Sequence, residues 1–126
     1  MATILLVDND PLQAFARKSS LEKRFHDVRR ATDAAEALCL VEQPQFAGKI
    51  DLIISGLHMP GVDGPSFIAE MHARLPSVPV LVLGFASEPS ADYDAEGVRF
   101  LSKPYASEQM LAAATQMLDK SHHSAR

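Results

Sequence analysis

The chain has 126 residues, a formal net charge of -4, 47% hydrophobic and 22% charged residues, which excludes a disordered chain or a nucleic-acid-coating one and fits a single domain with its own core. No apolar run approaches the roughly 18 residues needed to span a bilayer, and strand-like TILLV begins at Thr3, leaving no room for a signal peptide, so the expected location is cytoplasmic, with neither membrane nor nucleic acid as partner. The single cysteine, Cys39, excludes an internal disulfide and a cysteine-based metal knuckle, and it reads as a small hydrophobe on a helix.

TILLV (3–7), DVRRA (27–31), DLIIS (51–55), VPVLVLG (78–84) and VRFLS (98–102) read as strands alternating with helical patterns, a βαβα organisation around a parallel sheet. The first helix opens on Asp10 as N-cap, Pro11 in its first turn and Gln13 as capping-box partner, with Leu12, Phe15 and Ala16 at helical spacing as its inward stripe. Asp33 and Glu36 repeat the capping device for the second helix, where Leu38 and Val41 face inward. Pro65 opens a third, with Phe67, Ile68, Met71 and Leu75 as its stripe and Pro76 as its stop. FASEPSADYDAEG (85–97) has little periodic apolar content and predicts a short helix or an irregular loop. Ser107 is placed as cap of the last helix, on which Met110, Leu111, Ala114, Met117 and Leu118 recur at steps of three and four.

The central strands are apolar enough to be buried on both faces, whereas DVRRA suits a sheet edge. A five-stranded, doubly wound α/β sandwich follows, formed by one domain over 1–120 and a polar tail over 121–126. In such a fold function gathers at the carboxyl ends of the strands. The segments there are VDNDP, SGLHMPG, LGFAS and LSKPY.

Taken together, ILLVDNDP, DLIIS with LHMPGVDG, PVLVL and FLSKPY resemble the receiver domains of bacterial two-component response regulators, over about residues 3 to 118. The resemblance implies a CheY-like, flavodoxin-like (βα)5 sandwich with strand order 2-1-3-4-5. It also implies an aspartate at the end of strand three that accepts a phosphoryl group from a histidine kinase, and an acidic pair after strand one that helps hold Mg²⁺. A Ser or Thr after strand four and a Lys-Pro after strand five complete the family's site. Position by position, Asp8 and Asn9 match the acidic pair, and His58 matches the residue whose backbone carbonyl coordinates the metal. Lys103 and Pro104 match the Lys-Pro, and Phe100 matches the aromatic switch. The phosphoacceptor position, however, falls on Gly56, and the Ser/Thr position on Gly84.

Glycine has no carboxylate to attack a phosphohistidine and no hydroxyl to follow a phosphoryl oxygen. With Asp8 and Lys103 the remaining charges, the pocket sums to near zero, so Mg²⁺ binding is expected to be weak or absent and Asp8 is expected to pair with Lys103. Two like charges about 4 Å apart at an effective dielectric near 20 repel by about 4 kcal/mol. Glycine in place of alanine in a strand costs about 0.5–1 kcal/mol, so Gly56 is not expected to destabilise the fold. Ser55, adjacent in the strand, should point to the opposite face as a buried, hydrogen-bonded residue. His26, His58 and His72 lack metal-ligand spacing, and His122 and His123 lie in the tail. No G-x-G-x-x-G, P-loop or Ser-His-Asp set is present, so no enzyme, catalytic residue or cofactor is expected.

These features predict an atypical receiver that signals by phosphorylation-independent protein contacts. A histidine kinase or an output protein is the partner class, and weak homodimerisation stays open. The partner surface is either the family's face of helix four, strand five and helix five, or the first helix with Phe15, Arg17 and Lys18, or a fixed Phe100. Two alternatives are a small-ligand or anion sensor using the emptied pocket and a structural remnant of a phosphorelay regulator.

Overall fold

A computed structural model describes residues 2–56, 59, 61–85 and 97–124. Five strands form one sheet: β1 (Thr3–Val7), β2 (Asp27–Ala31), β3 (Leu52–Gly56), β4 (Val80–Phe85) and β5 (Val98–Lys103). Their order is β2-β1-β3-β4-β5 and every neighbouring pair is parallel. The described helices are α1 (Pro11–Glu22), α2 (Ala34–Val41), the short α3 (Pro44–Ala47), α4 (Gly64–Arg74) and α5 (Ser107–Ser124). Residues 121–124, grouped with the tail in the sequence, continue the α5 helix.

Alternation along each strand sorts the core into two layers. Leu5, Val7, Ile53, Val80 and Val82 pack with α2, α3 and α4 through Ala37, Val41, Phe46, Phe67, Ile68 and Met71. Ile4, Leu6, Leu52, Ile54, Leu81 and Leu83 pack on the other face with Leu21 of α1 and with Met110, Leu111, Ala114, Met117 and Leu118 of α5. The inward stripes expected for the third and last helices are these residues, except that Leu75 is the half-buried residue that follows α4. Strands β1, β3 and β4 are buried on both faces, as parallel strands covered by helices must be. The charged strand β2 is at one edge, and β5, half-buried, is at the other.

Local chemistry moves several boundaries. Strand β4 begins at Val80 rather than residue 78, because the Val78 N–H is held in a turn by the Leu75 carbonyl at 3.0 Å. Strand β3 begins at Leu52, the Asp51 carboxylate instead accepting from the Thr3 N–H at 2.8 Å. Helix α3 was not expected; Pro44 in its first turn and the buried Phe46 form it. Asp10 caps α1 by accepting from the Leu12 and Gln13 N–H groups, but the Asp10 N–H donates to Asp8 Oδ1 rather than entering a capping box with Gln13. Ser107 is the first residue of α5 and not its cap; the Gln109 side chain reaches back to accept from the Ala106 N–H at 2.7 Å. Cys39 lies on α2 but is exposed, so it is not a core hydrophobe.

The largest correction concerns α1. Leu12 is 83% exposed and Phe15 75% exposed, and Ala16 is exposed as well. The buried line is Ala14, Arg17 and Leu21, at i, i+3 and i+7, on the opposite side of the helix. Apolar spacing marks a stripe, but a second, polar-containing stripe won the inward position here because Arg17 has an acidic partner inside. The fourth-helix segment, residues 86–96, lies outside the described residues.

Candidate functional site

Strand β1 delivers Asp8 to the carboxyl edge of the sheet one residue after it ends, and alternation turns its side chain toward the α1 and α5 face, the side of Ile4 and Leu6. Asp8 is 3% exposed. Its Oδ2 accepts from Arg17 Nη1 at 2.6 Å, and the two side chains are 4% and 9% exposed. Its Oδ1 accepts from the Asp10 N–H at 3.0 Å. The Asp8 carbonyl accepts from both Arg30 Nε and Nη2, at 3.1 and 3.0 Å, and the Asp8 N–H donates to the Ala31 carbonyl. Every backbone and side-chain polar atom of Asp8 is therefore engaged within the protein, with two arginines among its partners.

Asp8 was expected to pair with Lys103. The structure corrects this: the cation against Asp8 is Arg17. Lys103 ends β5, three strand spacings from β1, or roughly 14 Å at about 4.8 Å each, whereas α1 follows β1 directly and packs over its end. Lys103 Nζ lies 4.8 Å over the ring of Phe85, its register partner on β4. The peptide between Lys103 and Pro104 is cis. Arg17 was assigned to a partner-reading surface on the first helix, and its burial removes it from that surface. The signal that could have located it was a cation in line with Ala14 and Leu21, one residue type that a search for apolar stripes passes over.

Gly56 ends β3, opposite Leu83 of β4. A Cβ at this position would lie 3.5 Å from Arg17 Nη1 and 3.9 Å from the Val7 carbonyl oxygen. Arg17 Nη1 is thus the nearest atom to a Cβ at 56, at ordinary van der Waals distance. Ser55 is fully buried and on the other face, that of Ile53; its hydroxyl donates to the Gly56 carbonyl at 2.7 Å. Gly84 is buried near the end of β4, opposite Ser102. Phe100 is half-buried and packs against the α2–α4 side of the core. Asn9 is half-buried, and His58 lies outside the described residues, as does Pro60. Gly61 has φ +72, the left-handed conformation that glycine adopts without strain.

Tyr105, after β5, joins the same cluster. Burial pushes its hydroxyl above the ordinary phenol value of 10.0; the Arg17 guanidinium, by charge and by a hydrogen bond, pulls it down, and the Asp8 carboxylate adds to the rise. The site is therefore a buried Asp8–Arg17 pair with Tyr105 beside it, and sequence reasoning found only the first of the three. As for a metal, a hard dication needs several free oxygen ligands. Among the described residues Asp8 is the one buried carboxylate, and its charge is already matched by Arg17, so this donor set does not fit Mg²⁺. No group of three or more acidic, histidine or cysteine side chains suited to a metal occurs among the described residues.

The family model of the response regulator receiver domain matches residues 4–115. The chain is a response regulator receiver domain. Sensor kinase CckA of Brucella abortus (strain 2308) is 30% identical over 123 residues, 94% of this receiver but 13% of the kinase. Other curated relatives, such as the transcriptional regulator RpaA of Synechocystis sp. (strain ATCC 27184 / PCC 6803 / Kazusa), are matched over about half their length. Among solved structures, the signal receiver domain of an HD domain-containing protein from Pseudomonas fluorescens Pf-5 is similar with a TM-score of 0.84 and 31% identity, covering 98% of this receiver and 90% of that chain. A CheY-like receiver from Methanospirillum hungatei JF-1 shares the fold with a TM-score of 0.87 at 20% identity, over 98% of both chains. The receiver is thus a two-component signalling module with the CheY-like fold and strand order. No described helix is long and apolar enough to cross a membrane.

Proposed function

We propose that this receiver signals without being phosphorylated. Its output is contact with another protein, of the histidine kinase or output-protein class, in the cytoplasm, and it carries out no catalysis. The reading rests on one observation: at the carboxyl end of β3, where the family resemblance puts the phosphoacceptor aspartate, the chain has Gly56, and a buried arginine paired to Asp8 lies 3.5 Å from where a Cβ would sit. Gly84, where the resemblance puts the hydroxyl that follows phosphoryl oxygens, supports it. An acyl phosphate needs a carboxylate nucleophile, and a glycine supplies none. Incubating the protein with a small-molecule phosphodonor and Mg²⁺, then recording the intact mass, is expected to show no added phosphoryl group. A labile adduct on the unmodified sequence would overturn the reading.

A further inference from the structure

We infer that Arg17 is a built-in cation that replaces a divalent metal ion in this receiver, and that it, more than the loss of the carboxylate at 56, keeps the pocket closed to metal. The inference rests on the reading of Gly56 above and deepens it. A buried guanidinium is retained only where its charge is matched and its donors are used. Arg17 meets both conditions: Asp8 Oδ2 lies 2.6 Å from its Nη1, and among the described residues no buried side-chain nitrogen or oxygen is left without a hydrogen-bond partner. A hard dication ligated by oxygens at about 2.0–2.1 Å would have to share the Asp8 carboxylate with the Arg17 guanidinium, a like charge already at 2.6 Å from Oδ2. The Asp8 carbonyl is likewise taken by Arg30.

The position of Gly56 sharpens the argument. Arg17 Nη1 is at ordinary van der Waals distance, 3.5 Å, from where a Cβ at 56 would sit. A Cβ has room there, and its nearest neighbour is the guanidinium, with which a carboxylate built on it would pair. Two carboxylates and one arginine then form a cluster in which the guanidinium offsets one of the two negative charges, with the planar, forked donor geometry that suits carboxylates. Restoring the missing aspartate alone therefore does not restore a metal site.

The test compares Mn²⁺ binding, measured by electron paramagnetic resonance of the free ion, in the parent, Gly56→Asp, Arg17→Met and Gly56→Asp/Arg17→Met proteins. The parent and Gly56→Asp are expected to bind without saturation, and the double variant to bind at least about tenfold more tightly than Gly56→Asp, as carboxylate count governs affinity once the guanidinium is gone. Equal affinity of Gly56→Asp and the double variant, or saturable sub-millimolar binding by the parent, would overturn the inference. Should the double variant fail to fold, the parent decides: the ¹⁵N resonance of the Arg17 side chain and the ¹³C resonance of the Asp8 carboxyl are expected to hold still as Mg²⁺ is added at fixed ionic strength. A saturable shift of both overturns it. These outcomes are separate from the phosphodonor result, which bears on Gly56 and not on Arg17.

Discussion

The Asp8–Arg17 pair has a definite energetic signature. Removing one partner of a buried ion pair leaves an unmatched charge and costs about 3–5 kcal/mol, whereas replacing both is often close to neutral. Arg17→Met is therefore expected to lower the unfolding free energy in urea by about 3–5 kcal/mol, and adding Asp8→Asn should recover most of it, the asparagine oxygen still accepting from the Asp10 N–H. If the double variant is as unstable as the single one, packing of the Arg17 stem and not its charge is what matters. Tyr105 gives a pH signature. Its native value is raised from 10.0, so above that pH the native state holds a proton that the unfolded chain has lost, and stability falls as pH rises through the native value. Below 10.0 the contribution is fully present. Tyr105→Phe is expected to flatten this alkaline loss in denaturant titrations, and a parallel decline in both proteins would refute the assignment. The phenolate absorbance of Tyr105, followed in a Tyr93→Phe background, should appear above the ordinary phenol range.

At the scale of elements, α1 shows what hydrophobic spacing can and cannot decide. Leu12, Phe15 and Ala16 have helical spacing, and so do Ala14, Arg17 and Leu21; periodicity names a helix but does not say which of two faces turns inward. The buried carboxylate at the end of β1 settles it, because an unpaired Asp8 would cost far more than an exposed leucine and phenylalanine. Leu12→Ser and Phe15→Ser should change stability by no more than about 0.5 kcal/mol, as surface substitutions do. Leu21→Ala should cost about 2–5 kcal/mol, as deletion of a buried side chain does. Thermal or urea melts of the three variants test this, and a large loss at Phe15 would mean that α1 packs the other way round. Strand positions were legible to within two residues because a parallel, fully covered sheet leaves continuous apolar runs. Caps were legible in part: Asp10 and Asp33 accept from backbone N–H groups of their helices as expected, while the Asp63 cap of α4 was not foreseen, and the partners expected to reach back do other things, Glu36 accepting from Thr32 instead.

For the molecule as a whole, the question is how many residues separate it from a working phosphoryl switch. Gly56→Asp with Gly84→Thr restores the acceptor and the hydroxyl but leaves Arg17 against both carboxylates, and it is expected to take up little phosphoryl group from a small-molecule donor. Adding Arg17→Met should raise that uptake clearly, read as intact mass after a fixed incubation; equal uptake with and without Arg17 would show that the arginine does not obstruct. The sequence alone determined the sheet, its helices on both faces, the edge position of DVRRA and the positions of Asp8, Gly56, Gly84 and Lys103 at its carboxyl edge. Those follow from local patterns whose period and turn chemistry act within a few residues. Only the tertiary structure decided which cation meets Asp8. That choice depends on a helix face and on strand spacings across the sheet, distances that no local pattern encodes, and it favours the arginine one helix away over the lysine three strands away.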